Sequence, residues 1–113
     1  MSTQEVLDHH LQAVGAGDVT EILKDYTDQS VVIEPGGTHR GRSELRTFFT
    51  PLFEGLFKPG TYEFTMDRAT VEGEVAYIVW HSENDGAKVS LGTDTFVVRD
   101  GKIAVQTFAA KID

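Results

Sequence analysis

The apolar residues of this 113-residue chain change their spacing once, at Lys58-Pro59-Gly60, and that change restricts the fold more than any other feature. Before it the period is mainly helical. Val6, Leu7, His10, Leu11 and Val14 recur at helical spacing behind Ser2 and Glu5, a capping-box pair. Gly15 and Gly17 close that helix. Asp18 and Glu21 cap a second one, whose stripe is Val19, Ile22, Leu23 and Tyr26. The β-branched run Ser30-Val31-Val32-Ile33-Glu34 stops at Pro35-Gly36-Gly37, and Thr38-His39-Arg40 suits a small strand at most. From Ser43 a third helix is predicted, with Leu45, Phe48, Phe49, Leu52, Phe53, Leu56 and Phe57 on one face. Pro51 predicts a kink or a break inside it.

After the change the period is two. Tyr62, Phe64 and Met66 alternate, Glu72-Gly73-Glu74 turns, and Val75 to Glu83 reads as a strong strand containing Trp80. Asn84-Asp85-Gly86 turns again, and Ala87 to Arg99 is a long strand. Asp100-Gly101 is the strongest hairpin signal in the chain, and Lys102 to Ile112 closes the series. Helices first and consecutive antiparallel strands last is an α+β pattern. The expected architecture is one domain over residues 1–113. It is a cone-shaped roll of three N-terminal helices packed in a curved, mostly antiparallel sheet, with a cavity in the cone. Val75, Tyr77, Val79, Leu91 and Val97 alternate with Ile78, Trp80, Phe96 and Val98, so both strand faces are apolar. Helices cover only one of them. The other face predicts a homodimer through the sheet.

Composition narrows the partners. Eighteen acidic residues against ten basic ones leave a net charge of −8, which argues against nucleic-acid phosphates and anionic membranes. No apolar run approaches the ~20 residues of a membrane span. The opening MSTQEVLDHH lacks the basic start and apolar stretch of a signal peptide, so a cytoplasmic location is expected. Cysteine is absent, which removes thiolate and disulfide chemistry. The four histidines show no ligand spacing, and no Gly-rich loop opens a helix, so no metal and no cofactor is expected.

Three strings then resemble a known group. They are Ala16-Gly17-Asp18, Tyr26-Thr27-Asp28-Gln29-Ser30-Val31-Val32-Ile33-Glu34-Pro35-Gly36-Gly37 and His39-Arg40-Gly41. They look like the front half of the SnoaL-like group, in the nuclear-transport-factor-2-like superfamily that includes ketosteroid isomerase. Thr93 to Ile103 looks like that group's last hairpin. The resemblance covers nearly the whole chain and implies the cystatin-like cone, pairing of relatives sheet to sheet, and a small apolar ligand in the cavity. It implies fold more than reaction, because this superfamily hosts isomerases, cyclases, dehydratases, epoxide hydrolases and non-catalytic binders.

The same resemblance singles out three polar residues. Glu34 stands where isomerases of this type carry a proton-abstracting Asp before Pro, although Glu is one methylene longer. Its plainer reading is a solvated carboxylate at a strand end. Asp94 shares a strand face with Gly92, Phe96 and Val98. It falls at the place where ketosteroid isomerase keeps a neutral Asp, a protonated carboxyl that donates to the enolate oxygen. Its plainer reading is a carboxylate paired with Arg99, Lys102 or a turn amide. His10 lies on the apolar stripe of the first helix, where the isomerases keep a Tyr donor, and its plainer reading is a core-edge His on a carbonyl. Tyr26, His39, Phe48, Phe49, Phe53, Trp80, Phe96 and Phe108 are the expected cavity walls, with Arg40 and His81 near the mouth. Epoxide hydrolases of this superfamily place Arg two residues before an Asp; here that position is Gly92, against such chemistry. If catalytic, the chain is expected to move a proton next to a carbonyl, with Glu34 as base and Asp94 and His10 as oxyanion donors. The alternative is a non-catalytic ligand-binding or dimerisation module of the same fold.

Overall fold

The computed structural model describes residues 1–113. Helix α1, Thr3–Ala16, starts at Ser2, whose hydroxyl accepts from the Glu5 amide at 3.1 Å while the Glu5 carboxylate accepts from the Ser2 amide at 2.9 Å. This capping box meets two of the amides that a helix start leaves unpaired. The helix ends at Gly17, which takes the left-handed conformation (φ 63°) at no steric cost. Helix α2, Val19–Leu23, is capped by Asp18. Strands β1, Tyr26–Glu34, and β2, Gly37–Arg40, form a hairpin, and helix α3 runs over Gly41–Glu54. Strands β3, Tyr62–Glu72, β4, Val75–Asn84, β5, Lys88–Arg99, and β6, Lys102–Ile112, follow.

All six strands form one sheet in the order β2-β1-β6-β5-β4-β3. Only the β1–β6 pair is parallel. The sequence places the helices, the meander and the hairpin at Asp100-Gly101 correctly, and three details differ. Tyr26 opens β1 instead of ending α2, because its segment joins β6 opposite Ile103. Helix α3 passes through Pro51 without a break and stops at Glu54, so Leu56 and Phe57 pack from the following loop, Phe57 still buried. Strand β3 extends to Glu72, well past the alternating Tyr62, Phe64 and Met66.

Every pairing within β3–β6 carries a register shift, at Met66/Arg68, Trp80/Ser82, Val89/Leu91 and Val97/Val98. Such bulges bend and twist a sheet. Its concave face carries Ala76, Ile78 and Trp80 from β4, Val89, Asp94, Phe96 and Val98 from β5, and Ile103 and Gln106 from β6, all buried. Leu45, Phe49 and Phe53 of α3 and Val6 and Leu7 of α1 complete that core. Each such large side chain contributes about 1.5–3 kcal/mol of burial. The convex face is different. Val75, Val97, Val105 and Val31 pair in one row across four strands, and Tyr77, Thr95, Thr107 and Ile33 in the next. Val75, Tyr77 and Leu91 there are exposed (39%, 38% and 51%), because the helices lie on the concave side. No helix is long and apolar enough to cross a membrane.

Candidate functional site: an aromatic cavity with a carboxylate at its wall

Between α1, α3 and the concave sheet lies a cavity of about 70 Å³, lined by 16 residues of which 13 are hydrophobic. A second hollow of about 190 Å³ shares Leu11, Val14, Tyr62 and Phe64 with it. The aromatic wall arises from two elements. Phe48, Phe49 and Phe53 follow one another on the inner face of α3. Phe64, Trp80 and Phe108 project from β3, β4 and β6 as a near-parallel stack, 5.3 Å and 6.3 Å apart by ring centroids.

The polar part of the lining is His10, Asp94 and Gln106. Gly92 sets it up. It pairs across the sheet with Trp80, and any Cβ at that position would fall inside the indole. Glycine therefore lets the ring lie flat over β5, where its Nε1 donates to Asp94 Oδ1 at 2.9 Å. Gln106 Nε2 donates to Asp94 Oδ2 at 2.8 Å, and the Gln106 carbonyl accepts from the Tyr26 hydroxyl. The amide orientation follows from this chain, since reversing it would set a carbonyl against the carboxylate. Burial pushes the Asp94 carboxyl up to about 6, against the two donors, which favour the charged form.

His10 is 5% exposed and stands edge-on to Phe96, with centroids 4.9 Å apart. Its Nδ1 is buried without a partner. Burial, helped by the neighbouring His9, lowers it to about 4, so the ring is neutral at pH 7. The core-edge His bonded to a carbonyl, the plainer expectation, is not what forms. Nor does Asp94 pair with Arg99, Lys102 or a turn amide.

The remaining sequence candidates separate. Phe48, Phe49, Phe53, Trp80 and Phe108 line the cavity. Tyr26 and Phe96 do not; both are buried, Tyr26 holding Gln106 and Phe96 packing on His10. Glu34 is also outside the lining. Its Oε1 lies 3.5 Å from His39 Nε2, a contact without hydrogen-bond geometry, and its carboxylate folds over Gly36. His39 stacks on Phe48 at 4.2 Å, so Phe48, not His39, faces the cavity. His81 bonds Asp67 at 2.7 Å and is not in the lining, nor is Arg40. The structure thus brings His10 and Asp94 to one cavity and leaves Glu34 apart.

Gln106 is the residue that sequence reasoning missed. Its signal was partial: strand alternation sets Gln106 on the face of Phe108, two residues on, but counting out from Asp100-Gly101 sets Val105 opposite Phe96, and only the register shift at Val97/Val98 brings Gln106 there. A second missed cluster sits outside the cavity. His9 donates from Nδ1 to Asp25 at 2.7 Å and from Nε2 to Glu21 at 2.8 Å. The two carboxylates approach opposite ring nitrogens, and no three His, Asp or Glu side chains converge as metal ligands.

A family model described as "SnoaL-like domain" matches residues 7–106. No curated protein matches the sequence. Solved structures do match in shape. An NTF-2 like protein of unknown function from Burkholderia xenovorans LB400 is 22% identical, with TM-score 0.77 over 96% of this chain and 82% of that one. A "putative ketosteroid isomerase" from Kribbella flavida DSM 17836 is 15% identical, with TM-score 0.78 over 96% and 77%. A "putative polyketide cyclase" from Sinorhizobium meliloti is 18% identical, with TM-score 0.76 over 96% and 99%. At these identities the likeness is one of fold.

Proposed function

The chain belongs to the SnoaL-like domain family, and on that premise we propose that its cavity binds a small, largely apolar molecule whose one polar group meets Asp94 and His10. The observation that carries this reading is a buried carboxyl, doubly held by Trp80 and Gln106, in an otherwise apolar wall. The two neutral donors offset only part of the cost of burying a carboxyl, since burial still outweighs them, and a ligand group on its remaining lone pairs would offset more. The two hollows together, about 70 Å³ and 190 Å³, point to a ligand of about one ring, since pockets for drug-sized molecules run to roughly 300–1,000 Å³. In any chemistry Asp94 is the acid–base group, because a carboxyl near pH 6 exchanges protons readily close to neutrality. Proton transfer next to a carbonyl agrees with the isomerase and cyclase names of two structural neighbours. The position of Glu34 outside the lining favours a second reading, a ligand-binding module without turnover.

Native mass spectrometry of protein taken directly from cells tests the binding. We expect a retained small molecule in the parent and none in Val14→Phe, which fills the cavity, at comparable melting temperature. No retained species, together with no probe that alters Trp80 emission, would sink the reading. Turnover that survives Asp94→Asn would remove Asp94 as the acid–base group.

The convex sheet face is proposed to pair with a second copy. Its uncharged valine row across β4, β5, β6 and β1 suits a self-complementary contact. Light scattering at micromolar concentration should give twice the chain mass, and Val97→Lys should halve it; a parent that is already monomeric rejects the pairing.

A further inference from the structure

The hydrogen-bonding capacity at the polar end of the cavity is lopsided. Trp80 has one N–H, and Asp94 takes it. Tyr26 has one O–H, and Gln106 takes it. Gln106 spends one of its two N–H groups on Asp94 and its carbonyl on Tyr26, which leaves one N–H. What Asp94 still offers is lone pairs, since an ionised carboxylate has about four acceptor sites and two are used. His10 adds a neutral imidazole, one N–H and one acceptor nitrogen, with its Nδ1 unmet. No Lys or Arg lines the cavity. A ligand carbonyl here has only the second Gln106 N–H and the His10 N–H to meet, beside a carboxylate charge, and a ligand carboxylate meets a like charge without any counter-ion. A ligand with N–H donors and positive charge meets acceptors and a counter-charge.

The walls act in the same direction. Phe64, Trp80 and Phe108 present stacked ring systems, and the face of an aromatic ring attracts a cation, most strongly where water is excluded. The net charge of −8 raises the local concentration of cations around the whole domain. Together the two hollows, about 70 Å³ and 190 Å³ with four lining residues in common, admit about one ring with a short arm. From this inventory we propose that the cavity is a receptor for small monocyclic amines, bound as ammonium ions, with the nitrogen on Asp94 and His10 and the ring among Phe64, Trp80 and Phe108. The proposal rests on the cavity-binding reading above and departs from the oxyanion-donor role that the sequence resemblance implies for the same residues.

Four probes of nearly equal shape test it: benzylamine, benzyl alcohol, acetophenone and benzoate. Trp80 is the only tryptophan and lies in the cavity wall, so its emission reports occupancy there, and calorimetry gives the affinity. At pH 7.5 benzylamine should bind about tenfold more tightly than benzyl alcohol, with acetophenone and benzoate weaker still. Asp94→Asn should bring the amine to within about twofold of the alcohol. Acetophenone or benzoate binding as tightly as benzylamine would overturn the proposal, as would an amine preference that survives Asp94→Asn. Equal binding of all four overturns only the ligand class. Binding of none removes the cavity reading and the proposal together. If Asp94→Asn does not fold, the ranking in the parent protein decides alone.

Discussion

His9 and His10 are neighbours in α1, and the fold gives them opposite chemistry. His9 donates to two carboxylates, Glu21 and Asp25, which raise its pKa. His10, turned toward Tyr26 and Phe96, has no partner on Nδ1 and is driven down to about 4. One ring is an imidazolium clamp between α1 and the α2–β1 junction; the other is a neutral wall of a cavity. The difference teaches that a 100° step around a helix is enough to change a histidine from an ion-pair partner into a buried neutral base. Asp25 and Asp94 repeat the contrast among the acids. Burial raises both, but His9 sits against Asp25 and holds it back, whereas Asp94 has only the neutral donors of Trp80 and Gln106.

The strongest way to break this comparison is through pH. Unfolding lets His10 take the proton that burial denies it, so its presence destabilises the folded state as the pH falls from about 6.5 towards 4. The size is about 3 kcal/mol at the acid end. Asp94 works the other way. Folding raises its pKa to about 6, so the cost it imposes above that pH is relieved as the pH falls towards 4, again by about 3 kcal/mol. In the parent the two slopes oppose each other. His10→Leu should therefore gain on the parent steadily from pH 7 to pH 4, and Asp94→Asn should lose on it over the same range. Asp25 titrates with the sign of Asp94, while Glu5, Glu21 and Asp28 are lowered by Ser2, Lys24 and Arg42 and lose stability in acid. These are common to parent and variants and cancel in the difference. Urea unfolding at four pH values measures it; curves that run parallel for parent and both variants would show that neither group is as buried as the cavity requires.

The His10 half of this contrast was legible in the sequence, and the His9 half was not. His10 sits on the stripe of Val6, Leu7, Leu11 and Val14, so helical periodicity alone turns it inward. The partners of His9 come from another element, and no spacing rule joins residue 9 to residues 21 and 25. Asp94 was legible because strand alternation puts it with Phe96 and Val98, and Asp100-Gly101 marks where the hairpin turns, although the register shift at Val97/Val98 was not legible. The network around it was not. Gly92 reads as a weak point in a strand until Trp80 is seen lying on it. Glu34 shows the limit of reading by position: it holds the strand end that the resemblance predicts, yet its longer side chain folds over Gly36 beside His39. Pro51 shows the limit of a local rule, since its cost to α3 is outweighed by the packing of Phe49 and Phe53 on either side.

The smaller test concerns the clamp. His9 is part-exposed, with Glu21 more so, and exposed ion pairs are screened and weak. Asp25 is different, since its carboxylate is nearly covered and loses its nearest donor when His9 is removed. His9→Ala should therefore cost about 1 kcal/mol at pH 6, most of it through Asp25. The sign with pH follows from the raised pKa. A base that binds its proton more tightly when folded stabilises fully below its unfolded value near 6.5, and that contribution fades as the pH rises through the folded value. The difference between parent and His9→Ala should shrink between pH 6 and pH 9; the effect of His10 is also largest in acid but has the opposite sign, since His9 stabilises the fold there and His10 destabilises it. His9→Gln separates charge from hydrogen bonding, because a neutral amide still donates to one carboxylate but does not titrate. A His9→Ala deficit that is the same at pH 6 and pH 9 would mean that His9 holds α1 by packing alone, and the contrast between the two histidines would then lie in burial and not in charge.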